Sequence, residues 1–116
     1  WGGTNLDSFD TEKLSQYRNS WNNVDTIRAM CDDYRAAIHF DWALDKVDKN
    51  RCLEIPACVM WGKTGAMAQH FDVPTTWSKS FSNIEKKPMN GGHFFPDQYP
   101  QETVSALASF IINNID

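Results

Sequence analysis

The sequence of 116 residues predicts an α/β fold built on short parallel strands. The run 57–61 is wholly apolar, which is typical of a strand buried on both faces. Amphipathic helical patterns precede this run, between residues 11 and 48, and close the chain around 104–111. A parallel sheet covered by helices buries such a strand. The predicted order is therefore helices, strand, helix, strand, helix.

Two polar caps divide the first part of the chain into helices. Asp10 can cap a helix near 11–21, in which apolar side chains recur at steps of three and four residues. Asn22 and Asn23 then break and re-cap the chain, and a helical period with charges on its other side follows. We predict one long helix or two abutting helices over about 24–48.

Two strands are predicted in the second part of the chain. Pro56 favours an extended residue before it, so that 57–61 begins as a strand, and Gly62 ends this strand. The segment 84–89 is a weaker second strand that leads into Asn90-Gly91-Gly92-His93. Two parallel strands do not make a self-sufficient sheet, and we expect something else to complete this core.

Helices are predicted between and after the strands. Asp72 or Thr75 can cap a helix that runs through to Phe81. The closing helix is preceded by Pro100, and Glu102 gives its start a capping pattern.

Composition and charge narrow the range of partners. Hydrophobic residues make up 41% of the chain and charged residues 22%, as in ordinary globular proteins. The net charge of -4 comes without any basic block, which disfavours a nucleic-acid partner. No apolar stretch approaches the roughly 20 residues that a membrane-spanning helix needs, so we expect no membrane partner and no signal peptide. The first residue is not Met, which suggests that the natural amino terminus lies elsewhere.

The cysteines indicate a reducing compartment. Cys31, Cys52 and Cys58 form an odd set without CxxC spacing, which argues against a disulfide framework and against a structural zinc site. We therefore expect a cytoplasmic protein without a metal or an organic cofactor.

His93 is the strongest candidate for a catalytic residue. It follows a predicted strand, and open α/β sheets carry their active sites beyond the carboxyl ends of the strands. A neutral imidazole there could take a proton from water. The alternative is a histidine that only caps a turn. The chain contains no Gly-x-Ser-x-Gly or Gly-x-Asp-x-Gly elbow, so a nucleophile for His93 is missing from it.

Aromatic residues supply weaker candidates. Tyr34 could point a phenol donor into a cavity and bind an anion, but a core tyrosine is the more frequent use of such a residue. Packing is likewise the default role of Trp1 and Trp61.

Several motifs resemble, in order, those of the haloacetate (fluoroacetate) dehalogenases of the α/β-hydrolase superfamily. The most specific is the segment MCDDYRA at 30–36, joined to the strand that ends in WGKTG at 61–65. The motif GHF at 92–94, before PQET at 100–103, is shared more widely among α/β hydrolases. The resemblance implies the carboxy-terminal part of this fold, with its last two parallel strands and flanking helices, preceded by helices of the cap domain. Residues 1–48 would be the cap remnant and return helix, and residues 49–116 the core part with the catalytic histidine.

The resemblance also implies roles for individual residues. In these enzymes an aspartate displaces halide from a haloacetate, and a histidine-activated water hydrolyses the resulting ester to glycolate. His93 would be the general base, Tyr34 one of the halide donors, and Trp1 a pocket residue of the cap. The nucleophile and the carboxylate-binding arginines belong to the amino-terminal half of the fold, which this chain lacks. That half is an expected partner, beside a small haloacid substrate and a second copy in a homodimer.

Two alternatives stay open. A related hydrolase such as an epoxide hydrolase would share the aspartate and histidine chemistry, but usually keeps an acid after the strand ending at Gly62, where this chain has Gly65. A non-catalytic interaction module or an inactive fragment is an alternative of a different class. Such a module should protect its sheet edge with charges or proline, whereas 57–60 is apolar throughout.

Overall fold

The computed structural model describes residues 5–114. They divide into two compact units, one comprising residues 5–8 and 52–114 and the other residues 9–51. The predicted boundary between a cap part, 1–48, and a core part, 49–116, stays a prediction. No helix among residues 5–114 is long and apolar enough to cross a membrane.

The unit of residues 9–51 is helical. Helices α1 (Thr11–Trp21), α2 (Val24–Ala36) and α3 (Trp42–Asp48) follow one another, with one π-helical segment, Ala37–Asp41, between α2 and α3. The helix predicted near 11–21 is confirmed, as are abutting helical segments over 24–48.

Both predicted caps of this unit are confirmed. The Asp10 side chain accepts hydrogen bonds from the backbone N–H groups of Glu12 and Lys13, at 3.1 and 3.0 Å. Asn23 caps α2 in the same way, accepting from the backbone N–H groups of Asp25 and Thr26. Each side chain satisfies donors that have no partner within the helix, which fixes where the helix begins.

The other unit contains the sheet. Strand β1 (Ala57–Gly62) pairs in parallel with strand β2 (Ile84–Met89), in a register that runs from Ala57 opposite Ile84 to Gly62 opposite Met89. Both predicted strands are confirmed, and Gly62 is the last residue of β1 rather than the first residue beyond it. Val59 and Met89, 8% and 3% exposed, are the buried hydrophobic side chains among the described residues.

The two strands differ in sequence. β1 is apolar, whereas β2 carries Glu85, Lys86 and Lys87, followed by Pro88. Proline has no N–H to donate to a further strand, and charged side chains discourage pairing between sheet edges. β2 is therefore suited to the edge of a sheet, while β1 presents an apolar edge opposite β2.

The helices of this unit are short except for the last. A 3₁₀ turn at Leu6–Ser8 precedes helices α4 (Ala66–His70), α5 (Val73–Trp77), α6 (Phe95–Gln98) and α7 (Pro100–Asn114). Helices α4 and α5 contact β1, and α7 contacts β2.

The sequence predicts a helix that continues to Phe81, and this predicted end is wrong. Helix α5 ends at Trp77, and Phe81 instead forms a parallel bridge with Leu53 that extends the pairing ahead of β1 and β2. The backbone of Leu53 donates to Ser80 at 2.8 Å and accepts from Ser82 at 3.0 Å. Pairing with Leu53, which is far away in the sequence, therefore places residues 80–82 beside the sheet, although their local pattern is helical.

Asp72 is the cap of α5, which settles the choice between Asp72 and Thr75. Its side chain accepts a hydrogen bond from the Thr75 backbone N–H at 3.1 Å. Hydrogen bonds from the Thr75 side chain and then from its backbone lower the pKa of the Asp72 carboxyl, because both favour the charged form.

Candidate functional site

His93 lies at an open cavity of about 370 Å³ beyond the carboxyl ends of the strands. Its side chain is exposed, and its ring meets that of Phe94 edge to face, with 5.2 Å between centroids. The cavity wall is mainly apolar, and is lined by Met60, Trp61, Gly62, Gly65, Met67, Phe71, Val73, Thr76, Trp77, His93 and Phe95. An imidazole in such a place can exchange protons with water while apolar groups surround a small organic ligand.

Glycines let the loop carrying His93 pack backbone to backbone against the loop that follows β1. A Cβ atom on Gly62 would lie 1.9 Å from the carbonyl oxygen of Gly92, which no side chain tolerates. Gly91 has a φ of +96°, a conformation that favours glycine. Two backbone hydrogen bonds join the loops, from Lys63 to Met89 at 2.9 Å and from Thr64 to Gly91 at 3.1 Å. We call this contact the glycine seam, formed by residues 62–65 and 89–93.

Gly65 lies within the seam, at the position where many α/β hydrolases would be expected to carry their acid. A Cβ atom on Gly65 would lie 2.8 Å from the His93 backbone nitrogen and 3.0 Å from the Gly92 carbonyl carbon. Because these contacts are with backbone atoms, a side chain could enter only if the loops moved apart. The structure therefore leaves no room for an aspartate at position 65.

A polar cluster holds the amino-terminal side of the His93 loop. The two carboxylate oxygens of Glu102 accept hydrogen bonds from Asn90, one from its backbone N–H at 3.3 Å and one from its side-chain amide at 3.0 Å. Lys63 donates to the Asn90 side-chain oxygen at 3.2 Å. The capping interpretation of Glu102 missed these bonds, which join α7 to the end of β2.

Gln98 holds the loop closer to His93. Its side-chain oxygen accepts a hydrogen bond from the backbone N–H of Gly92 at 2.8 Å. Sequence reasoning also missed this residue, because nothing in a single sequence shows that a glutamine six positions along the chain turns back onto a glycine.

Tyr34 lies in the other unit, and its side chain is 76% exposed there. It borders an apolar cavity of about 380 Å³ together with Trp21, Ile27, Met30 and Cys31. The interpretation of Tyr34 as a core residue of its own unit is wrong, while its role as a halide donor stays a prediction. Trp1 lies outside the described residues. Trp61 is half-buried and lines the His93 cavity.

Between residues 5 and 114, no group of His, Cys, Asp or Glu side chains is arranged to hold a metal ion. Cys31 and Cys52 are exposed thiols, and Cys58 is half-buried in β1. Burial, and then the charge of Glu85, raises the pKa of the Cys58 thiol. A raised pKa leaves less of this thiol as thiolate near neutral pH, so Cys58 is poorly suited to act as a nucleophile.

Comparison with known proteins finds relatives over nearly the whole chain. It is 37% identical over 111 residues to a fluoroacetate dehalogenase from Burkholderia sp., a match that covers 96% of this chain and 36% of the relative. The chain thus spans about a third of the length of this curated relative. No family model matches the sequence.

Solved structures give the same fold. A proposed acyltransferase from Salmonella enterica superposes with a TM-score of 0.87 at 26% identity, over 95% of this chain and 36% of that one. A proposed α/β hydrolase from Nostoc sp. PCC 7120 superposes with a TM-score of 0.87 at 31% identity, over 96% of this chain and 38% of that one.

Proposed function

Since this chain has the fold of the carboxy-terminal part of an α/β hydrolase and resembles fluoroacetate dehalogenase, we propose that it supplies the general base of a haloacetate dehalogenase. The single observation that carries the proposal is the position of His93. It is exposed at an apolar cavity, on a glycine loop directly beyond a parallel strand. This is where open α/β sheets bind their ligands.

The proposed reaction has two displacements. An aspartate carboxylate outside this chain attacks the carbon that bears the halogen, and halide leaves with the electrons of the broken bond. His93 then takes a proton from water as the water attacks the carbonyl carbon of the aspartyl ester. The bond between the carbonyl carbon and the alkoxy oxygen then breaks, and the departing oxygen takes the proton from His93. Glycolate leaves, and the aspartyl carboxyl group loses its proton to water, which regenerates the carboxylate.

The remaining roles concern groups that bind substrate. We propose that Tyr34 donates a hydrogen bond to the departing halide and that Trp1 lines the pocket. Fluoride is small and strongly hydrated, so it leaves readily only when donors replace its water. The partners would be a small haloacid, the rest of the same fold and a second copy of the protein, in the cytoplasm.

The packing at Gly65 supports a dehalogenase over an epoxide hydrolase. The latter usually takes its acid from the loop after β1, and a side chain at position 65 would collide with the backbone of His93. The apolar edge of β1 supports an enzyme whose sheet continues over a self-contained interaction module.

The test is halide release by the full-length protein, after its intact mass has been compared with the 13.3 kDa of this chain. Fluoroacetate and chloroacetate are the substrates, and the His93→Ala variant is compared with His70→Ala. His70 is an exposed histidine at the end of α4 and serves as the matched control. We expect steady-state turnover to fall about 100- to 10,000-fold in His93→Ala, as for loss of a general base, and to stay unchanged in His70→Ala.

The products of the reaction distinguish a dehalogenase from an epoxide hydrolase and from a non-catalytic module. His93→Ala should still release about one halide per active site and accumulate an enzyme whose mass has increased by one ester, because only the second displacement needs the base. Hydrolysis of epoxides without halide release would favour the epoxide hydrolase, and no turnover of either substrate class would favour the non-catalytic module.

A further inference from the structure

We propose that Gln98 is a positioning residue, which orients His93 by holding the Gly91–Gly92 peptide, one peptide unit ahead of the bond to His93. The inference deepens the proposed function, because it rests on His93 as the base. Gln98 is the last residue of α6 and does not line the His93 cavity. Its action is therefore exerted through the backbone of the loop.

The hydrogen bond from Gly92 to Gln98 is short and sheltered. The distance from the Gly92 nitrogen to the Gln98 side-chain oxygen is 2.8 Å. Gly92 is buried and Gln98 half-buried, so water competes poorly for the donor. Leaving a buried N–H without an acceptor costs more free energy than leaving an exposed one, because water cannot replace the lost partner. The N–H of Gly92 therefore strongly favours its hydrogen bond to Gln98.

The loop needs such a restraint because two glycines precede His93. Glycine has more backbone freedom than any other residue, and Gly91 uses it to adopt a positive φ. The carbonyl of Gly92 accepts a hydrogen bond from Phe95 at 3.2 Å. Gln98 holds the N–H of the same residue, so Gly92 is fixed on both sides and His93 follows directly from it.

The role of Gln98 is separable from that of Glu102. Glu102 binds Asn90, which fixes the start of the loop at the end of β2. We expect these bonds to stay in place when Gln98 is changed, because neither of them involves Gln98 or Gly92. Loss of the Gln98 acceptor should therefore loosen the Gly91–Gly92 peptide ahead of His93 and leave the strand pairing intact.

The experiment uses three variants of the full-length protein. Gln98→Met keeps the length of the side chain and removes the acceptor, whereas Gln98→Glu keeps an acceptor oxygen. Gln101→Met is the matched control, at an exposed position on α7. Readouts are amide hydrogen exchange at Gly92, NMR signals of the His93 ring, the thermal midpoint, and kcat and KM for halide release.

We expect Gln98→Met to accelerate Gly92 exchange about tenfold, since the bond that protects this N–H is lost. The His93 ring signals should broaden or split, and kcat should fall about tenfold while KM changes by less than about twofold, because a small displacement of a catalytic group affects the reacting geometry most. Gln98→Glu should stay within about threefold of the wild type in exchange and kcat, by the same acceptor argument. Gln101→Met should behave as the wild type.

Three results would overturn the inference: unchanged Gly92 exchange in Gln98→Met, an unchanged His93 ring signal there, or a Gln98→Glu variant as impaired as Gln98→Met. Failure of the proposed function is recognised separately, as a wild-type protein that releases no halide. In that event the exchange and ring signals still decide whether Gln98 positions His93.

Discussion

The two units of this chain are stabilised over very different sequence distances. In residues 9–51, several polar contacts are local: caps at Asp10 and Asn23, and ion pairs three residues apart such as Arg28 with Asp25. In the unit with the sheet, several contacts that shape the site join residues far apart in the sequence, as Lys63 joins Asn90. The difference teaches that the helices are specified locally, whereas the site is specified by the meeting of distant loops.

The two units also differ in how far they bury their apolar side chains. Every large apolar side chain of α2 is exposed, including Met30 at 46% and Tyr34 at 76%. The sheet unit, by contrast, buries Val59 and Met89 against its own residues. Substitutions in the two units should therefore differ in their cost to the free energy of unfolding, and three experiments test this comparison.

The largest effect is expected for Gly62→Ala in the glycine seam. The new Cβ would meet the Gly92 carbonyl oxygen at 1.9 Å, and its three nearest atoms are all backbone atoms of Gly91 and Gly92, so no flexible side chain can yield. We expect a loss of about 3 kcal/mol or more in the free energy of unfolding, measured by urea denaturation of the full-length protein. Thr64→Ala, on the same loop, is the control and should stay within about 0.5 kcal/mol. An equally small change for Gly62→Ala would mean that the loops are not in contact.

A matched pair of methionines tests the difference in burial. Met89→Ala removes a side chain that is 3% exposed and should cost about 2–4 kcal/mol, because it leaves a cavity. Met30→Ala removes one that is 46% exposed and should cost less than about 1 kcal/mol. Urea denaturation of both variants provides the values. Equal costs would break the comparison, and would mean that another part of the full-length protein covers α2.

The smallest effect is expected for the local cap at Asp10. Asp10→Ala removes the acceptor for Glu12 and Lys13, which should cost about 1 kcal/mol and be confined to the first turn of α1. Hydrogen exchange of those two amides should accelerate about fivefold, which is the factor that corresponds to a loss of about 1 kcal/mol. Asp10→Asn keeps an acceptor and should restore protection, and accelerated exchange at Gly92 in Asp10→Ala would contradict the local nature of this unit.

The sequence predicts well those helices and strands that are specified by residues next to one another in the chain. The bounds of α1 follow from Asp10 and an apolar stripe, and β1 follows from an unbroken apolar run. Helices α4 and α6 were not predicted, because five and four residues are too few to show a helical period. Phe81 was assigned to a helix, since its pairing with Leu53 depends on a segment far away in the sequence.

The candidate site was predictable only in part, for the same reason. His93 could be singled out because glycines and a strand precede it directly. Glu102 and Gln98 touch the loop only after the chain has turned back, so their partners Asn90 and Gly92 could not be read from spacing. Tyr34 carries no local signal that separates a core residue from an exposed one, and only the structure shows that it is exposed in its unit.

The glycine seam also restricts the register in which β1 pairs with β2. A strand can slide along its neighbour in steps of two residues and keep the same side chains facing the same way. Here a slide of that size would bring Met60 or Thr64 to the place of Gly62, where the Gly92 carbonyl leaves no room for a side chain. A two-residue slide of β1 along β2 is therefore sterically excluded in either direction, which fixes how far His93 lies beyond the end of the sheet.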